Sequence, residues 1–302
     1  MKILVSDGIE AIGAEILKNA GFEVIEKKYS PDELIQNIKD YDAIIVRSAT
    51  KVTKEVIDAG VNLKAIARGG VGLDNIDLNY AKEKGIPVLN TPGASSISVA
   101  ELAIAHMFAL ARFINVSKME MMEGKWPKKE YSHGFELTGK TLGLIGLGNI
   151  GKETAKRALG LFMKVIAYDP YVTSTDLNVQ LVSKEELLKQ SDIISLHIPF
   201  NKTEGASIAK NEFEMMKDGV IIINCARGGV VDENDLLEAL NSGKVKAAGI
   251  DVFVNEPTTE AQMNLIKHPR VSVTPHIGAS TDEAQERVGQ EIAEKVVEVL
   301  KK

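Results

Sequence analysis

Short apolar, β-branched runs alternate with amphipathic helical stretches almost from one end of the chain to the other, and few folds satisfy that pattern. A parallel strand cannot be joined to its neighbour by a tight turn; it needs a crossover of a dozen residues or more, which a helix supplies. Strands are read at Ile3–Ser6, Glu23–Glu26, Ala43–Val46, Lys64–Ala67 and Pro87–Asn90. A second series is read at Thr141–Ile145, Val165–Tyr168, Ile193–Leu196, Val220–Asn224, Ala247–Asp251 and Val271–Thr274. The chain has 302 residues, above the size at which one core usually keeps growing, so an α/β protein of two doubly wound parallel-sheet domains is expected.

Helix starts are marked by Ser30-Pro31-Asp32-Glu33 and by Ser280-Thr281-Asp282-Glu283, each an N-cap hydroxyl followed by first-turn acids. The second opens a final helix with Ala284, Val288, Ile292, Val296 and Val299 at helical spacing. Between the two strand series, Ser95 to about Glu123 reads as one long helix, with Ala100, Ile104, Met107, Phe108, Ala111 and Ile114 on a broad apolar face.

The net charge of −6 offers no basic stripe to displace phosphate counterions, so no nucleic-acid partner is expected and an anionic substrate has to be held by local charges. The single cysteine, Cys225, excludes an internal disulfide framework and fits a reducing compartment. The first apolar run is stopped by Asp7, too early for a signal-peptide core, and no stretch reaches the 18 or so apolar residues that span a bilayer. A cytoplasmic protein with no membrane partner is expected.

Gly146-Leu147-Gly148-Asn149-Ile150-Gly151 directly follows the strand at Thr141–Ile145 and opens a helical run, the setting that a dinucleotide fingerprint requires. The first glycine permits the turn, the second lets backbone approach a pyrophosphate, and the third lets helix pack closely on strand. Asp169 closes the next strand 18 positions beyond Gly151, placed to accept both ribose hydroxyls and to repel a 2′-phosphate. The cofactor expected is therefore NAD rather than NADP. A second glycine cluster, Gly69-Gly70-Val71-Gly72, also follows a strand but lacks the third glycine and the distant acid.

Three charged groups follow predicted strands: Arg227, Glu256 and His276. In an open α/β sheet, ligands bind beyond the carboxyl ends of the strands, so these residues have a common cleft available. Removing hydride from a carbon that bears a hydroxyl needs a base for the hydroxyl proton, and histidine titrates near neutrality. His276 is the candidate base, Glu256 the carboxylate that orients it, and Arg227 the planar fork that holds a substrate carboxylate.

These residues resemble the D-2-hydroxyacid dehydrogenase family. The resemblance is carried by His197-Ile198-Pro199, by Asn224 to Glu233, by Asp251 to Pro257 and by Thr274-Pro275-His276-Ile277-Gly278, together with the fingerprint. It implies a split architecture: a discontinuous flavodoxin-like substrate domain, 1–95 plus 279–302, flanking an inserted Rossmann-type NAD domain, 96–278. The domains are expected to close over substrate about hinges near Ser95 and Gly278. It further implies cofactor contacts from Asn149, Ile150, Asp169, Pro199, Thr203, Cys225, Ala226, Arg227, Asp251, His276 and Gly278, and substrate carboxylate contacts from the backbone of Gly70 and Val71.

Val46 to Thr53 and Glu123-Gly124-Lys125-Trp126 are similar to the phosphoglycerate dehydrogenase branch of that family. Arg47, Ser48 and Lys51 sit together just past a strand end, and paired cations with a hydroxyl suit a phosphate. The resemblance implies D-3-phosphoglycerate as substrate, the first step of phosphorylated serine biosynthesis, and a homodimer using the long helix. The extra C-terminal regulatory domain of larger members of that branch is not expected here, nor serine feedback through one. Hydroxypyruvate or glyoxylate reduction, or NAD(H) sensing without turnover, are the alternatives.

The remaining polar residues read blandly. His106 lies on the apolar face of the long helix as a satisfied core or interface residue, His133 and His268 fall in loops, and His197 shapes the cofactor pocket. Cys225 reads as a small buried hydrophobe, Met119, Met121 and Met122 as helix packing at an interface, and Lys125, Lys128 and Lys129 as a solvated face. No metal is expected, since hydride transfer with a histidine base needs none.

Overall fold

A computed structural model of the chain describes residues 1–302. The chain divides into two compact units, 1–95 with 279–302 and 96–278. The first unit runs β1 (Lys2–Val5), α1 (Ala11–Asn19), β2 (Glu23–Glu26), α2 (Pro31–Asn37), β3 (Ala43–Val46), α3 (Lys54–Ala59), β4 (Ala65–Arg68), α4 (Leu78–Glu83) and β5 (Val88–Leu89). The second runs α5 (Ser96–Ala111), α6 (Ile114–Met122), β6 (Thr141–Ile145), α7 (Asn149–Gly160), β7 (Lys164–Tyr168), β8 (Gln180–Leu181), α8 (Lys184–Gln190) and β9 (Ile193–Leu196). It continues through α9 (Lys210–Met215), β10 (Val220–Asn224), α10 (Glu233–Ser242), β11 (Val245–Ile250), α11 (Glu260–Ile266) and β12 (Val271–Val273), after which α12 (Asp282–Leu300) returns to the first unit.

In the first unit the strands are ordered β2-β1-β3-β4-β5, and every pairing is parallel. Helices cover both faces, so residues alternate between two cores rather than between core and water. Leu4, Ile44, Val46 and Ile66 face one apolar cluster with Leu34, Val56 and Ala81. Ile3, Val5, Ala43, Ile45, Ala65 and Ala67 face another, closed by Leu17 of α1 and by Ile292, Val296 and Leu300 of α12. The capping box read at Ser30 is formed: its hydroxyl accepts the Glu33 N–H while the Glu33 carboxylate accepts the Ser30 N–H.

The second sheet has seven parallel strands in the order β12-β11-β10-β9-β6-β7-β8. Strand order reverses between β6 and β9, and such a reversal opens a crevice beyond the strand ends. One face carries Ile145, Ile194, Leu196, Ile222 and Ile250, packed by Leu187, Phe213 and Leu236. The other carries Leu142, Leu144, Val165, Ile193, Ile221 and Ile223 beneath α5 and α7, which supply Met107, Leu110, Ala155 and Ala158.

The single long helix expected from Ser95 to Glu123 is instead two, α5 and α6, bent by 60°. Phe113 adopts the left-handed conformation, φ 56°, which ends the ladder of α5, and its ring packs on Tyr131 with centroids 5.3 Å apart. Phe108 within α5 and Ile114 at the start of α6, both expected on the apolar face, are 40% and 52% exposed. The strands at Ile3, Lys64, Pro87, Val165, Ala247 and Val271 differ from the expected limits by a residue or two, and the two-residue edge strand β8 was not read. No single helix is long and apolar enough to cross a membrane.

Ile222 lies at the centre of β10 with no exposure, so truncation leaves a cavity that packed neighbours on both sides cannot fill. Ile222→Ala is expected to lower stability by about 2–5 kcal/mol in urea unfolding, whereas Val61→Ala should change it by less than about 0.5 kcal/mol. Val61 is 78% exposed.

Candidate active site

All seven strands of the second unit point their carboxyl ends the same way, and the chemistry-bearing residues follow them. After β6 the Gly-rich turn leads into α7. Gly146 has φ +95°, and a Cβ there would sit 2.5 Å from the His197 carbonyl oxygen. A Cβ on Gly151 would meet the Gly146 carbonyl oxygen at 2.2 Å. Gly148, exposed at the N-cap of α7, would meet nothing within 4 Å. The outer two glycines are thus required by the protein itself, while the middle one keeps backbone open to whatever lies outside.

No side chain caps α7, so its first N–H groups and positive dipole end face that same opening, an arrangement that suits a pyrophosphate. Asn149 and Ile150 form its first turn. Asp169, directly after β7, accepts the Leu147 N–H at 2.8 Å and the Tyr171 N–H at 2.9 Å. A carboxylate has about four acceptor sites, so it holds the Gly-rich turn and retains capacity for ribose hydroxyls. Beyond these strand ends lies a cavity of about 360 Å³ walled by Ile145, Tyr168, Pro170, Ile198, Pro199 and Phe200. Pro199 thus lies where the resemblance implied, whereas Thr203 is absent from the wall and donates its N–H to the Asn201 side chain at 3.0 Å.

His197 stands half-buried at the end of β9; burial lowers its imidazole to about 4, and Nε2 pairs with the Ser195 hydroxyl at 3.0 Å. Cys225 is buried too, and burial followed by the nearby Asp251 charge pushes its thiol far up, which leaves it unreactive.

The three charged candidates converge. His276 Nδ1 and Glu256 Oε2 are 2.5 Å apart. Glu256 Oε1 also accepts the Phe253 N–H at 3.0 Å. Burial raises the Glu256 carboxyl, but the hydrogen bonds from His276 and Phe253 and the charges of His276 and Arg227 outweigh it and hold the group below the usual carboxylate range. With Nδ1 engaged, Nε2 is the ring nitrogen left for a substrate proton.

Arg227 follows β10 in a loop fastened by Asn224, whose amide donates to the Arg227 carbonyl and accepts the Ala226 N–H. Gly228 lets this loop lie directly on the next one, since a Cβ there would be 2.0 Å from the Phe253 carbonyl oxygen. That close approach puts the guanidinium within electrostatic reach of Glu256. A cavity of about 530 Å³ borders Glu256, Thr274 and His276. A second cavity, about 240 Å³ and mostly apolar, lies between α5, α6 and β12, away from these side chains.

His276 itself is left-handed, φ 55°, unusual for a residue with a side chain. Its backbone is over-determined by Asp251, whose carbonyl accepts the His276 N–H at 2.8 Å and whose carboxylate accepts the Ile277 and Gly278 N–H groups at 2.8 Å each. This holding role of Asp251 was not read from sequence; an acid at a strand end ahead of a Pro-His pair was its only signal.

In the first unit, Arg47, Ser48 and Lys51 lie in the loop after β3. Asp7, just past β1, accepts the Arg47 N–H at 2.8 Å and the Thr50 N–H and hydroxyl at 3.0 and 2.7 Å. The Asn75 amide donates to the Arg47 and Thr50 carbonyls. Ser48 and Lys51 are exposed and Arg47 half-buried on this pinned backbone. The Gly70–Gly72 turn has its carbonyls taken by the Thr91 N–H, the Asn90 amide and the Arg68 guanidinium, which leaves N–H groups as its capacity for a ligand.

Comparison with known proteins agrees with this layout. Residues 104–278 match the family model described as D-isomer specific 2-hydroxyacid dehydrogenase, NAD binding domain. The chain is 53% identical to a hydroxypyruvate reductase of Thermotoga maritima, over 99% of this chain and 98% of that one. It is 48% identical to a D-3-phosphoglycerate dehydrogenase of Archaeoglobus fulgidus, over 100% of this chain but only 58% of that longer relative. Among solved structures, the D-lactate dehydrogenase of Aquifex aeolicus complexed with NAD and lactic acid is similar, with a TM-score of 0.85, 33% identity, and coverage of 100% of this chain and 96% of that one. The chain belongs to the D-isomer specific 2-hydroxyacid dehydrogenase family, and its cofactor is NAD.

Proposed function

We propose that this dehydrogenase acts on D-3-phosphoglycerate, oxidising its 2-hydroxyl to the ketone of 3-phosphohydroxypyruvate. The observation that carries the choice is the pinned loop bearing Arg47, Ser48 and Lys51, two cations and a hydroxyl on a backbone held by Asp7 and Asn75. In this reading Arg227 grips the substrate carboxylate as a bidentate fork, helped by the N–H groups of Gly70 and Val71. His276 Nε2 takes the hydroxyl proton as the C–H bond breaks, and Glu256 stabilises the imidazolium and fixes the ring through Nδ1. Bound NAD supplies the hydride acceptor. The cofactor is gripped by the turn at Gly146, Gly148 and Gly151, by Asn149 and Ile150, and by Asp169, with Pro199, Cys225, Ala226, Asp251 and Gly278 as further contacts. The exposed Ile114, Met119, Met122 and Trp126 suit a homodimer.

Hydroxypyruvate reduction is the second reading, favoured by the 53% identity to a relative of matching length. Both readings use the same base, fork and cofactor and differ in what the Arg47 loop meets.

Initial rates with NAD or NADH across D-3-phosphoglycerate, D-glycerate, hydroxypyruvate, glyoxylate and D-lactate should rank D-3-phosphoglycerate first in kcat/KM. A higher value for hydroxypyruvate, unchanged in Arg47→Ala, would reject the phosphate reading. His276→Ala is expected to reduce kcat by about 10²-fold or more with NADH binding retained, as followed by nicotinamide fluorescence. Asp169→Ala should narrow the ratio of kcat/KM for NAD over NADP by roughly 10-fold or more, because the acid that repels a 2′-phosphate is gone; an unchanged ratio assigns cofactor choice elsewhere.

A further inference from the structure

His106 sits in α5 among apolar side chains, only 3% exposed, and takes no part in the reaction described so far. Its two ring nitrogens are both engaged. Nδ1 lies 2.9 Å from the Ser272 hydroxyl and Nε2 lies 3.1 Å from the Thr274 hydroxyl. Asn115 donates its amide to Ser272 at 2.7 Å, and Thr274 donates its hydroxyl to Asp251 Oδ1 at 2.6 Å.

The hydrogens in this chain can be counted. A hydroxyl has one proton to give, and that of Thr274 goes to the Asp251 carboxylate, so Thr274 accepts from His106 Nε2–H. Burial lowers the pKa of His106, which keeps the ring neutral, and Nδ1 therefore accepts the Ser272 proton. Ser272 in turn accepts from Asn115. The result is a one-way series, Asn115 to Ser272 to His106 to Thr274 to Asp251. Every bond in the series points toward the carboxylate that anchors residues 276 to 278.

We propose that His106 is a positioning residue for hydride transfer, its imidazole setting the direction of a hydrogen-bond chain that ends on Asp251 and, through Asp251, fixes the left-handed backbone of His276. Without the imidazole, the Thr274 hydroxyl loses the donor that aims it at Asp251, and Thr274 is one of the three groups that donate to that carboxylate. The anchored peptide is then free to relax from φ 55°, carrying the ring of His276 away from Glu256. An imidazole is suited to the place because it offers a donor and an acceptor on opposite sides of one rigid plane. The proposal rests on His276 being the base.

The test uses four variants of the full chain: His106→Leu, His106→Gln, Thr274→Val and the Leu/Val double. His106→Leu and Thr274→Val should each lower kcat about 10-fold, the scale of a small misplacement of a catalytic group, while NADH binding is retained. The double should lose no more than the worse single variant, because both cut the same link. Glutamine, with a donor and an acceptor of its own, should recover most of the loss. A His106→Leu protein with lower thermal stability but wild-type kcat, or single effects that simply multiply in the double, would overturn the proposal. Should His106→Leu fail to fold, Thr274→Val, which removes the hydroxyl that links His106 to Asp251 at nearly constant shape, has to show the kcat loss, and a wild-type kcat there overturns the proposal. His276→Ala, run beside them, separates the two readings: if it retains turnover the base is misassigned, whereas if it is dead and the His106 variants are fully active only the relay fails.

Discussion

A carboxylate at the end of a strand, accepting backbone N–H groups from the loop beside it, is the interaction on which both units rely. Parallel strands leave all their carboxyl ends on one edge, and the loops there have no ladder partners to hold them. Asp7 after β1 grips the Arg47–Thr50 loop, Asp169 after β7 grips the Gly-rich turn, and Asp251 after β11 grips the segment from His276 to Gly278. A hydrogen bond to an ionised group contributes about 1.5–3 kcal/mol, roughly twice a neutral one, so a few such bonds are enough to order a short loop. The acid decides where the loop beside it is placed.

Glu256 has a related job with a different target. It accepts one backbone N–H from Phe253 with one oxygen and pairs with the His276 imidazole through the other, so it holds a loop and a side chain at once. The Arg227 loop reaches the same place only because Gly228 carries no side chain where it crosses the Phe253 carbonyl. The geometry around the reacting groups is therefore set by backbone, with only three charged side chains added to it.

Much of this was legible in the sequence. Strand positions follow from β-branched runs too apolar to face water on either side, and the outer glycines of the turn at Gly146 follow from its place between strand and helix. Arg227, Glu256 and His276 could be picked out because each follows a strand and each has a chemical task. What could not be read depends on partners far away in the chain. The bend at Phe113 involves neither glycine nor proline, and its ring partner Tyr131 lies in a loop without periodicity. His106 was readable as a buried residue, but its pairing with Ser272 and Thr274 spans more than 160 positions and no local pattern announces it. The Asp7 and Asn75 supports of the Arg47 loop are hidden for the same reason.

The solitary thiol of Cys225 has a practical consequence. Walled into the core beneath α5 and raised well above its ordinary range, it is expected to stay silent toward maleimides while the fold is intact. A cysteine introduced on the surface of this chain would thus be its sole addressable handle, with no need to remove the native one. Such a handle would carry a spectroscopic label to a chosen surface site in an otherwise unaltered protein.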